Sequence, residues 1–232
     1  MEIKGLTKTT LLDYPGHVAA TVFTGGCDFK CPYCYNKSLV LHPQRLPSIP
    51  VEDIYAFLES RKNALEGICI TGGEPLIQED LCAFLYTVKM MGFKVKLDTN
   101  GSDPTHLSHI LENHLVDYVS MDIKNSLQKY ATTAGISTLD LNRIKLSADL
   151  LMDSDIDYEF RTTVVKELHQ PEDFEAIGEW LKGAKVYYLQ SYVDSKDVIV
   201  PVFSNYDQQG MQNIQKILSR SIEHVYIRVN NH

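Results

Sequence analysis

Three cysteines lie in one short loop near the amino terminus, at Cys27, Cys31 and Cys34, and an aromatic residue, Tyr33, directly precedes the third. Their spacing is C-x3-C-x2-C, which offers three thiolate ligands. An iron–sulfur cube held by three cysteines leaves one iron open for another ligand. Open metal positions are typical of catalytic sites, as they are for zinc. The spacing therefore predicts an iron–sulfur cluster that takes part in chemistry.

Two other interpretations of the three cysteines stay open. One is a zinc site with His17 or His42 as the fourth ligand, and the other is a set of inert core thiols, because free cysteine is readily buried. Cys69 and Cys82 stand alone in apolar surroundings, and we interpret both as packing residues. Five cysteines in total, three of them clustered, do not form the pattern of a disulfide framework and indicate a reducing cytoplasm.

Composition excludes several classes of protein. The chain has 232 residues, 44% of them hydrophobic, and a formal net charge of −8. This charge argues against nonspecific binding to nucleic acid or anionic membranes, which favours basic patches. No apolar run approaches the roughly 18 residues needed to span a bilayer, and no apolar stretch follows a basic start as in a secretory signal. We expect a cytoplasmic protein without nucleic-acid or membrane partners.

Strand-like and helix-like segments alternate along the chain. The β-branched runs predicted as strands are Val18–Phe23, Gly67–Ile70, Phe93–Asp98, Val116–Asp122, Tyr158–Val165 and Lys185–Gln190, with an edge strand at Val225–Val229. Between them, apolar residues recur at helical spacing, as in the stretches that begin at Val51 and Leu81. Asp103 precedes a proline and predicts a helix start.

This alternation predicts a parallel sheet with right-handed crossovers. Six βα units are too few for a closed eight-stranded barrel. We therefore predict an α/β fold, a partial and open (β/α)6 barrel, that forms a single domain over residues 1–232.

Functional groups in such folds gather at the carboxyl ends of the strands. The cysteine loop follows the first predicted strand, and Thr71-Gly72-Gly73-Glu74-Pro75 ends the second. Asp98 ends the third strand, Asp122 and Lys124 end the fourth, and Gln190 ends the sixth. Polar and glycine-rich segments are thus predicted to share one rim.

Each rim group has a chemical and a structural interpretation. Gly72–Glu74 lets the backbone approach a ligand and offers a carboxylate for an ammonium group, or it is an ordinary strand-to-helix turn. Asp98 is suited to accept hydrogen bonds from ribose hydroxyls, or it caps the next turn.

Asp122 and Lys124, two residues apart on a strand, point to the same face, where they contact a ligand or form a salt bridge. Arg161, inside the fifth strand, is costly to bury unless paired, and its role and that of Gln190 stay open.

The motifs resemble those of the radical S-adenosylmethionine (SAM) superfamily, on the cysteine spacing and on Gly72–Glu74. Lys8–Gly16 resembles the lead-in of glycyl-radical-enzyme activases. Met121–Lys124 and Tyr158–Val165 resemble the subgroup described as anaerobic ribonucleoside-triphosphate reductase activating proteins, in its longer form. The resemblance covers nearly the whole chain. It departs at Tyr35, where many activases have histidine, and the adenine-contacting pattern of the fifth strand is not obvious.

The resemblance implies a [4Fe–4S] cluster on Cys27, Cys31 and Cys34, with the methionine end of SAM at the open iron. The reduced cluster would pass one electron to SAM, which is cleaved to methionine and a 5′-deoxyadenosyl radical. This radical would take a hydrogen atom from a glycine Cα of a partner enzyme. The expected partner is anaerobic ribonucleotide reductase, and the expected electron donor is a ferredoxin or flavodoxin.

The same resemblance implies that Gly72, Gly73 and Glu74 bind the amino group of SAM. It also implies that Asp98, Asp122 and Lys124 face SAM. Two alternatives remain. One is a radical SAM enzyme that acts on another glycyl-radical enzyme, of the pyruvate formate-lyase type, or on a small molecule such as a deazapurine precursor. The other, from a different class, is a zinc-binding structural or interaction module.

Overall fold

The structure is a computed structural model and describes residues 1–228. Its centre is one sheet in which eight strands follow one another in chain order. The strands are β1 (Ile3–Thr10), β2 (Ala19–Thr24), β3 (Gly67–Gly72), β4 (Lys94–Thr99), β5 (Tyr118–Asp122), β6 (Asp157–Val164), β7 (Val186–Ser191) and β8 (His224–Arg228). β1 is antiparallel to β2, and all other neighbours are parallel. The sheet does not close, so that β1 and β8 are its edges, as the predicted open barrel requires.

Helices connect the parallel strands. They are α1 (Lys37–Leu41), α2 (Val51–Ser60), α3 (Leu81–Met90), α4 (Pro104–Glu112), α5 (Tyr130–Ala134), α6 (Leu141–Asp153), α7 (Pro171–Trp180) and α8 (Gln208–Leu218). The predicted start at Asp103 is confirmed, because its side chain accepts a hydrogen bond from the backbone N of His106 at 3.2 Å. Every helix within residues 1–228 is too short or too polar to cross a membrane.

One edge of the sheet differs from the sequence prediction, and the other agrees with it. β1 was not predicted, because only Ile3 of its eight residues is buried and its side chains lack a clear alternation. The predicted edge strand Val225–Val229 corresponds to β8, which pairs with β7 in parallel. Val229 lies outside the described residues.

The two faces of the sheet have opposite chemistry. Alternate residues of each strand point to the helices and are mostly buried and apolar, such as Val22, Ile70, Leu97, Val119, Phe160 and Leu189. The residues between them line the inner side of the open barrel, here called the lumen. Polar side chains are common there, and they include Thr21, Lys96, Asp98, Ser120, Glu159 and Arg161. The sheet therefore presents polar groups to the concave side of the molecule.

Candidate functional site

The cysteine loop runs from the end of β2 to the start of α1. Cys31 is buried, and Cys27 and Cys34 are partly exposed; all three thiols are free. The backbone N of Phe29 donates to Cys27 Sγ at 3.4 Å, and Lys30 Nζ donates to the carbonyl of Cys27. Burial raises the pKa of the Cys31 thiol to about 11, although the charge of nearby Lys124 acts in the opposite direction. The loop thus holds three thiols beside a largely enclosed cation, Lys124, whose side chain is 14% exposed.

This donor set fits a cluster better than one ion. Within residues 1–228, no three His, Cys, Asp or Glu side chains converge as ligands of a single metal ion. A zinc ion needs its ligands at about 2.0–2.3 Å from one point. The cysteines of an iron–sulfur cube bond different iron atoms, so they are spread around the group rather than converging. The Lys124 charge beside Cys31 also favours the thiolate form that such a group requires.

The Gly72–Glu74 turn packs directly on the start of the cysteine loop. Gly73 N donates to Thr24 O at 2.9 Å, and Glu74 N donates to Gly26 O at 2.8 Å. Gly72 has a φ of +115°, and a Cβ at Gly73 would overlap the carbonyl oxygen of Gly26. The two glycines therefore permit a close approach between two backbone segments. The approach of this turn to a ligand, which the sequence also predicts, stays a prediction.

Glu74 is held by its own chain. Its side chain is 1% exposed. Its carboxylate accepts hydrogen bonds from Leu76 N at 3.0 Å, Thr99 Oγ1 at 2.6 Å and Asn100 N at 2.6 Å. Burial raises the pKa of the Glu74 carboxyl to about 8, although these hydrogen bonds oppose the shift. Three of about four acceptor positions are thus occupied, and the carboxylate ties the end of β3 to the end of β4.

Asn100 connects this corner to the cysteines. Its Nδ2 donates to Asp28 Oδ1 at 2.8 Å and lies 3.9 Å from Cys27 Sγ, while its backbone N donates to Glu74. Sequence reasoning assigned only Asp98 in this strand end and missed Asn100. The available signal was its position directly after Asp98 and Thr99 at the rim.

A chain of alternating charges occupies the other side of the rim. Lys96 pairs with Asp98, and Arg161 Nη1 lies 3.1 Å from the second oxygen of Asp98. Arg161 Nε lies 2.5 Å from Asp122, which pairs with Lys124 Nζ at 2.8 Å. These five side chains, here called the ion network, carry three positive and two negative charges. The network has an excess of one positive charge.

The cations keep both aspartates ionised. Burial alone would raise the pKa of Asp98 and Asp122, but Arg161 and the adjacent lysines outweigh it and lower both values. Arg161, whose role sequence reasoning left open, is the centre of the network. Gln190 lies farther along the lumen face, in register with Arg228.

Tyr35 stands at the mouth of the concave side. It is 52% exposed. Its hydroxyl pKa is nevertheless raised by burial, with the Arg161 charge opposing and Asp122 adding to the shift. Solvent exposure and proximity to the ion network together place this side chain on the wall of the open cavity.

The predicted residues therefore meet at one rim. The cysteine loop contacts the Gly72–Glu74 turn, and Asp98, Asp122 and Lys124 join in the ion network. Their common location at strand ends is confirmed, whereas their contacts with a cluster or SAM stay predictions.

Comparison with known proteins agrees with the motifs. The family model described as the radical SAM superfamily matches residues 21–181. A Methanocaldococcus jannaschii protein, provisionally named a glycyl-radical enzyme activating enzyme, is 30% identical over 99% of this chain and 96% of its own length. The 7-carboxy-7-deazaguanine synthase of Thermoplasma acidophilum is 31% identical over 48% of this chain and 49% of its own.

Solved structures share the fold. SuiB of Streptococcus suis has a TM-score of 0.69 at 15% identity, over 89% of this chain and 47% of SuiB. An archaeal TYW1 has a TM-score of 0.58 at 17% identity, over 88% of this chain and 72% of TYW1. At such low identity, the likeness concerns the arrangement of strands and helices.

Proposed function

The chain belongs to the radical SAM superfamily, whose cofactors are a [4Fe–4S] cluster and SAM, and we propose that it is an activase that generates a glycyl radical on anaerobic ribonucleoside-triphosphate reductase. One observation carries the activase part of this proposal. The relative named as a glycyl-radical enzyme activating enzyme matches over 99% of this chain and 96% of its own length. The reductase as target rests on the resemblance of Met121–Lys124 and Tyr158–Val165.

We assign the cluster to Cys27, Cys31 and Cys34. When bound, the cluster and SAM supply the electron and the carbon-centred radical that remove a hydrogen atom from a glycine Cα. The chain contributes three thiolates, the amide hydrogen bond from Phe29 and the charge of Lys124 beside Cys31. Hydrogen bonds and nearby charge are the protein's means of setting a cluster's reduction potential.

The charge distribution supports a SAM site between the cysteine loop and the ion network. The Glu74 carboxyl is held only by neutral donors and is suited to gain a neighbouring cation. The ion network has one unbalanced positive charge and is suited to gain an anion. The methionyl end of SAM carries both an ammonium and a carboxylate. We propose that Gly72, Gly73 and Glu74 bind the ammonium side, and that Asp98, Asp122 and Lys124 bind the rest of SAM.

The close packing of the Glu74 carboxyl changes its proposed role. Its bonds to β4 also hold Asn100 against the cysteine loop. We therefore propose that it positions this corner in addition to attracting the ammonium group. The reaction would use a ferredoxin or flavodoxin as electron donor, in the reducing environment of the cytoplasm.

The cluster assignment is tested by anaerobic iron and sulfide analysis of alanine variants. Cys31→Ala is expected to lose the brown chromophore and all SAM cleavage, because one of three ligands is removed. Cys69→Ala is the matched control, since Cys69 is also buried but lies in β3. A full iron complement in Cys31→Ala would contradict the assignment. Zinc without acid-labile sulfide in the native protein would favour the structural module instead.

The target is tested by electron paramagnetic resonance of the protein mixed with the reductase, SAM and a strong reductant. We expect a glycyl-type doublet and 5′-deoxyadenosine formed in step with it. A radical on a different glycyl-radical enzyme, and none on the reductase, would reassign the partner. Turnover of a deazapurine precursor would favour the small-molecule alternative. No SAM cleavage by an intact reduced cluster would reject the proposed chemistry.

A further inference from the structure

A cysteine and a histidine are in contact outside the rim site. Cys82 Sγ lies 3.2 Å from His106 Nε2, although the two residues are 24 positions apart in the chain. Cys82 belongs to the first turn of α3, and His106 belongs to the first turn of α4. The sequence predicts a packing residue at Cys82. The structure adds a partner that can accept the proton of its thiol.

The hydrogen bonds of His106 determine which of its ring nitrogens is free. Nδ1 lies 2.7 Å from the carbonyl oxygen of Leu76, and a carbonyl oxygen only accepts hydrogen bonds. Nδ1 therefore carries the proton of the neutral ring, and Nε2 presents its lone pair to Cys82 Sγ. A nucleophile in contact with a base that a third group orients is the arrangement by which proteins activate nucleophiles. Cys82, His106 and the Leu76 carbonyl match this arrangement.

The surroundings of Cys82 give access to reagents and favour its thiolate. Its side chain is partly exposed, whereas Cys69 is completely buried and the three loop cysteines are assigned to the cluster. Burial raises the pKa of the Cys82 thiol, so the thiol is protonated at neutral pH and depends on a base to react. The first turn of α3 has no acidic residue, and the positive end of a helix favours the thiolate that forms during attack.

We propose that Cys82 is a modification site that exchanges with low-molecular-weight disulfides, with His106 as its base. His106 takes the thiol proton while the Cys82 sulfur attacks one sulfur atom of the disulfide. The S–S bond of the reagent breaks, a mixed disulfide forms on Cys82, and the leaving thiolate takes the proton from His106. Cys82 is oxidised and half of the reagent is reduced to a thiol, so the reverse exchange with a reducing thiol restores the free side chain.

The same contacts connect Cys82 to the corner where Glu74 joins the ends of β3 and β4. Leu76, whose carbonyl orients His106, donates its backbone N to Glu74 at 3.0 Å. A group attached to Cys82 occupies space beside His106 and removes the proton that bonds Nε2. We expect His106 to move away from Leu76 and the turn that holds Glu74 to loosen. This second step rests on the proposed role of Glu74 in SAM binding, whereas the exchange reaction of Cys82 does not.

The exchange is tested with dithiodipyridine on the cluster-loaded protein, without oxygen and without SAM. We expect one equivalent of pyridine thione in a fast phase at about pH 7, no fast phase in Cys82→Ser, and a phase at least tenfold slower in His106→Gln. His109→Gln is the matched control, because His109 is exposed on the same helix, and its rate should stay within twofold of wild type. Absence of the fast phase in wild type, its persistence in Cys82→Ser, or equal rates in His106→Gln and wild type would overturn the proposal.

The pH dependence of the rate separates the action of a base from a change in local packing. Below the usual cysteine pKa of about 8.5, an unassisted thiol gains roughly tenfold in thiolate per pH unit. The rate of His106→Gln should therefore rise about tenfold between about pH 7 and 8, whereas that of wild type should rise less than about threefold. Equal slopes would mean that His106 affects only the access to Cys82, and would overturn its role as the base.

The effect on SAM binding is tested by anaerobic calorimetry of the protein modified on Cys82 with oxidised glutathione. We expect at least fivefold weaker SAM binding and recovery after treatment with dithiothreitol, whereas Cys82→Ser treated in the same way should keep its affinity. Fast exchange without a change in SAM affinity would retain the modification site and reject its coupling to Glu74. Absence of SAM binding by the unmodified protein would reject the proposed function, and the coupling with it, while the exchange reaction would stand.

Discussion

Two groups of carboxylates share one rim of this barrel, and they are stabilised in opposite ways. Glu74, at the β3–β4 corner, accepts hydrogen bonds only from neutral donors, and burial raises its pKa to about 8. In the ion network, Asp98 is also buried and Asp122 is partly exposed, yet Arg161 lowers the pKa of both. Desolvation acts to raise the pKa of all three carboxyls, so the charge of the partner decides the ionisation state.

This contrast has a functional consequence. The β3–β4 corner is short of positive charge, whereas the ion network has one positive charge in excess. The two regions therefore favour opposite ends of a zwitterionic ligand bound between them. Variants that alter one region at a time test whether the two regions have these opposite charge preferences.

The largest effect is expected from the centre of the ion network. Arg161→Gln leaves the buried Asp98 and the partly exposed Asp122 with one cation fewer. Breaking a buried ion pair from one side costs about 3–5 kcal/mol, which is the upper limit here because Asp122 is partly exposed. Urea unfolding of the SAM-free protein measures this loss. The control is Lys62→Gln, which removes an exposed pair with Glu59 and should not change stability measurably. Equal stability of Arg161→Gln and wild type would show that the network does not hold the rim together.

A smaller effect is expected for SAM binding at the other corner. Glu74→Gln removes the carboxyl group that would ionise beside the ammonium group of SAM, and a hydrogen bond to a charged group contributes roughly 1.5–3 kcal/mol, or about ten- to hundredfold in affinity. Calorimetry under anaerobic conditions measures the affinity, and cluster content should stay intact. Glu79→Gln is the matched control, because Glu79 is exposed beyond the turn. Unchanged SAM affinity in Glu74→Gln would remove this residue from the site.

The contributions of Glu74 and Asp122 to folding stability should change with pH in opposite directions. The pKa of Glu74 is raised to about 8, so its contribution to stability is present at low pH and is lost as pH rises through that value. Wild type should therefore lose stability relative to Glu74→Gln between about pH 5 and 8, by at most roughly 1.4 kcal/mol per pH unit.

The contribution of Asp122 to folding stability has the opposite pH dependence to that of Glu74. Its pKa is lowered, so its contribution is present above the usual aspartate pKa and is lost as pH falls. Wild type should lose stability relative to Asp122→Asn on acidification. Chemical unfolding at a series of pH values measures the stability of wild type relative to Glu74→Gln and to Asp122→Asn. If both differences changed with pH in the same direction, the two regions would not be stabilised in opposite ways.

The smallest effect is expected beside the β3–β4 corner. Within residues 1–228, Ser102 Oγ is a buried side-chain atom without a hydrogen-bond partner. Ser102→Ala removes that hydroxyl and should leave the free energy of unfolding unchanged or raise it by up to about 1 kcal/mol. Thermal unfolding checks this. Marked destabilisation would mean that the hydroxyl has a partner in solution, such as a bound water.

The sequence was sufficient for features with local causes. The six predicted inner strands and the helix starts follow from hydrophobic periodicity and capping residues, which act over a few positions. The cysteine spacing and the strand-end location of Glu74, Asp98, Asp122 and Lys124 could also be predicted, because parallel strands bring their carboxyl ends to one rim. β1 was missed because its pattern is weak at the edge of the sheet.

Only the tertiary structure decided which of these groups meet. Glu74 bonds Asn100, 26 positions away and just past the end of β4, while Asp122 pairs across 39 positions and Asp98 across 63, both with Arg161 on β6. Such pairs depend on the register between strands, which long-range packing sets and no local pattern encodes. For the same reason, Arg161 could not be assigned from sequence, because its partners Asp98 and Asp122 lie on two other strands.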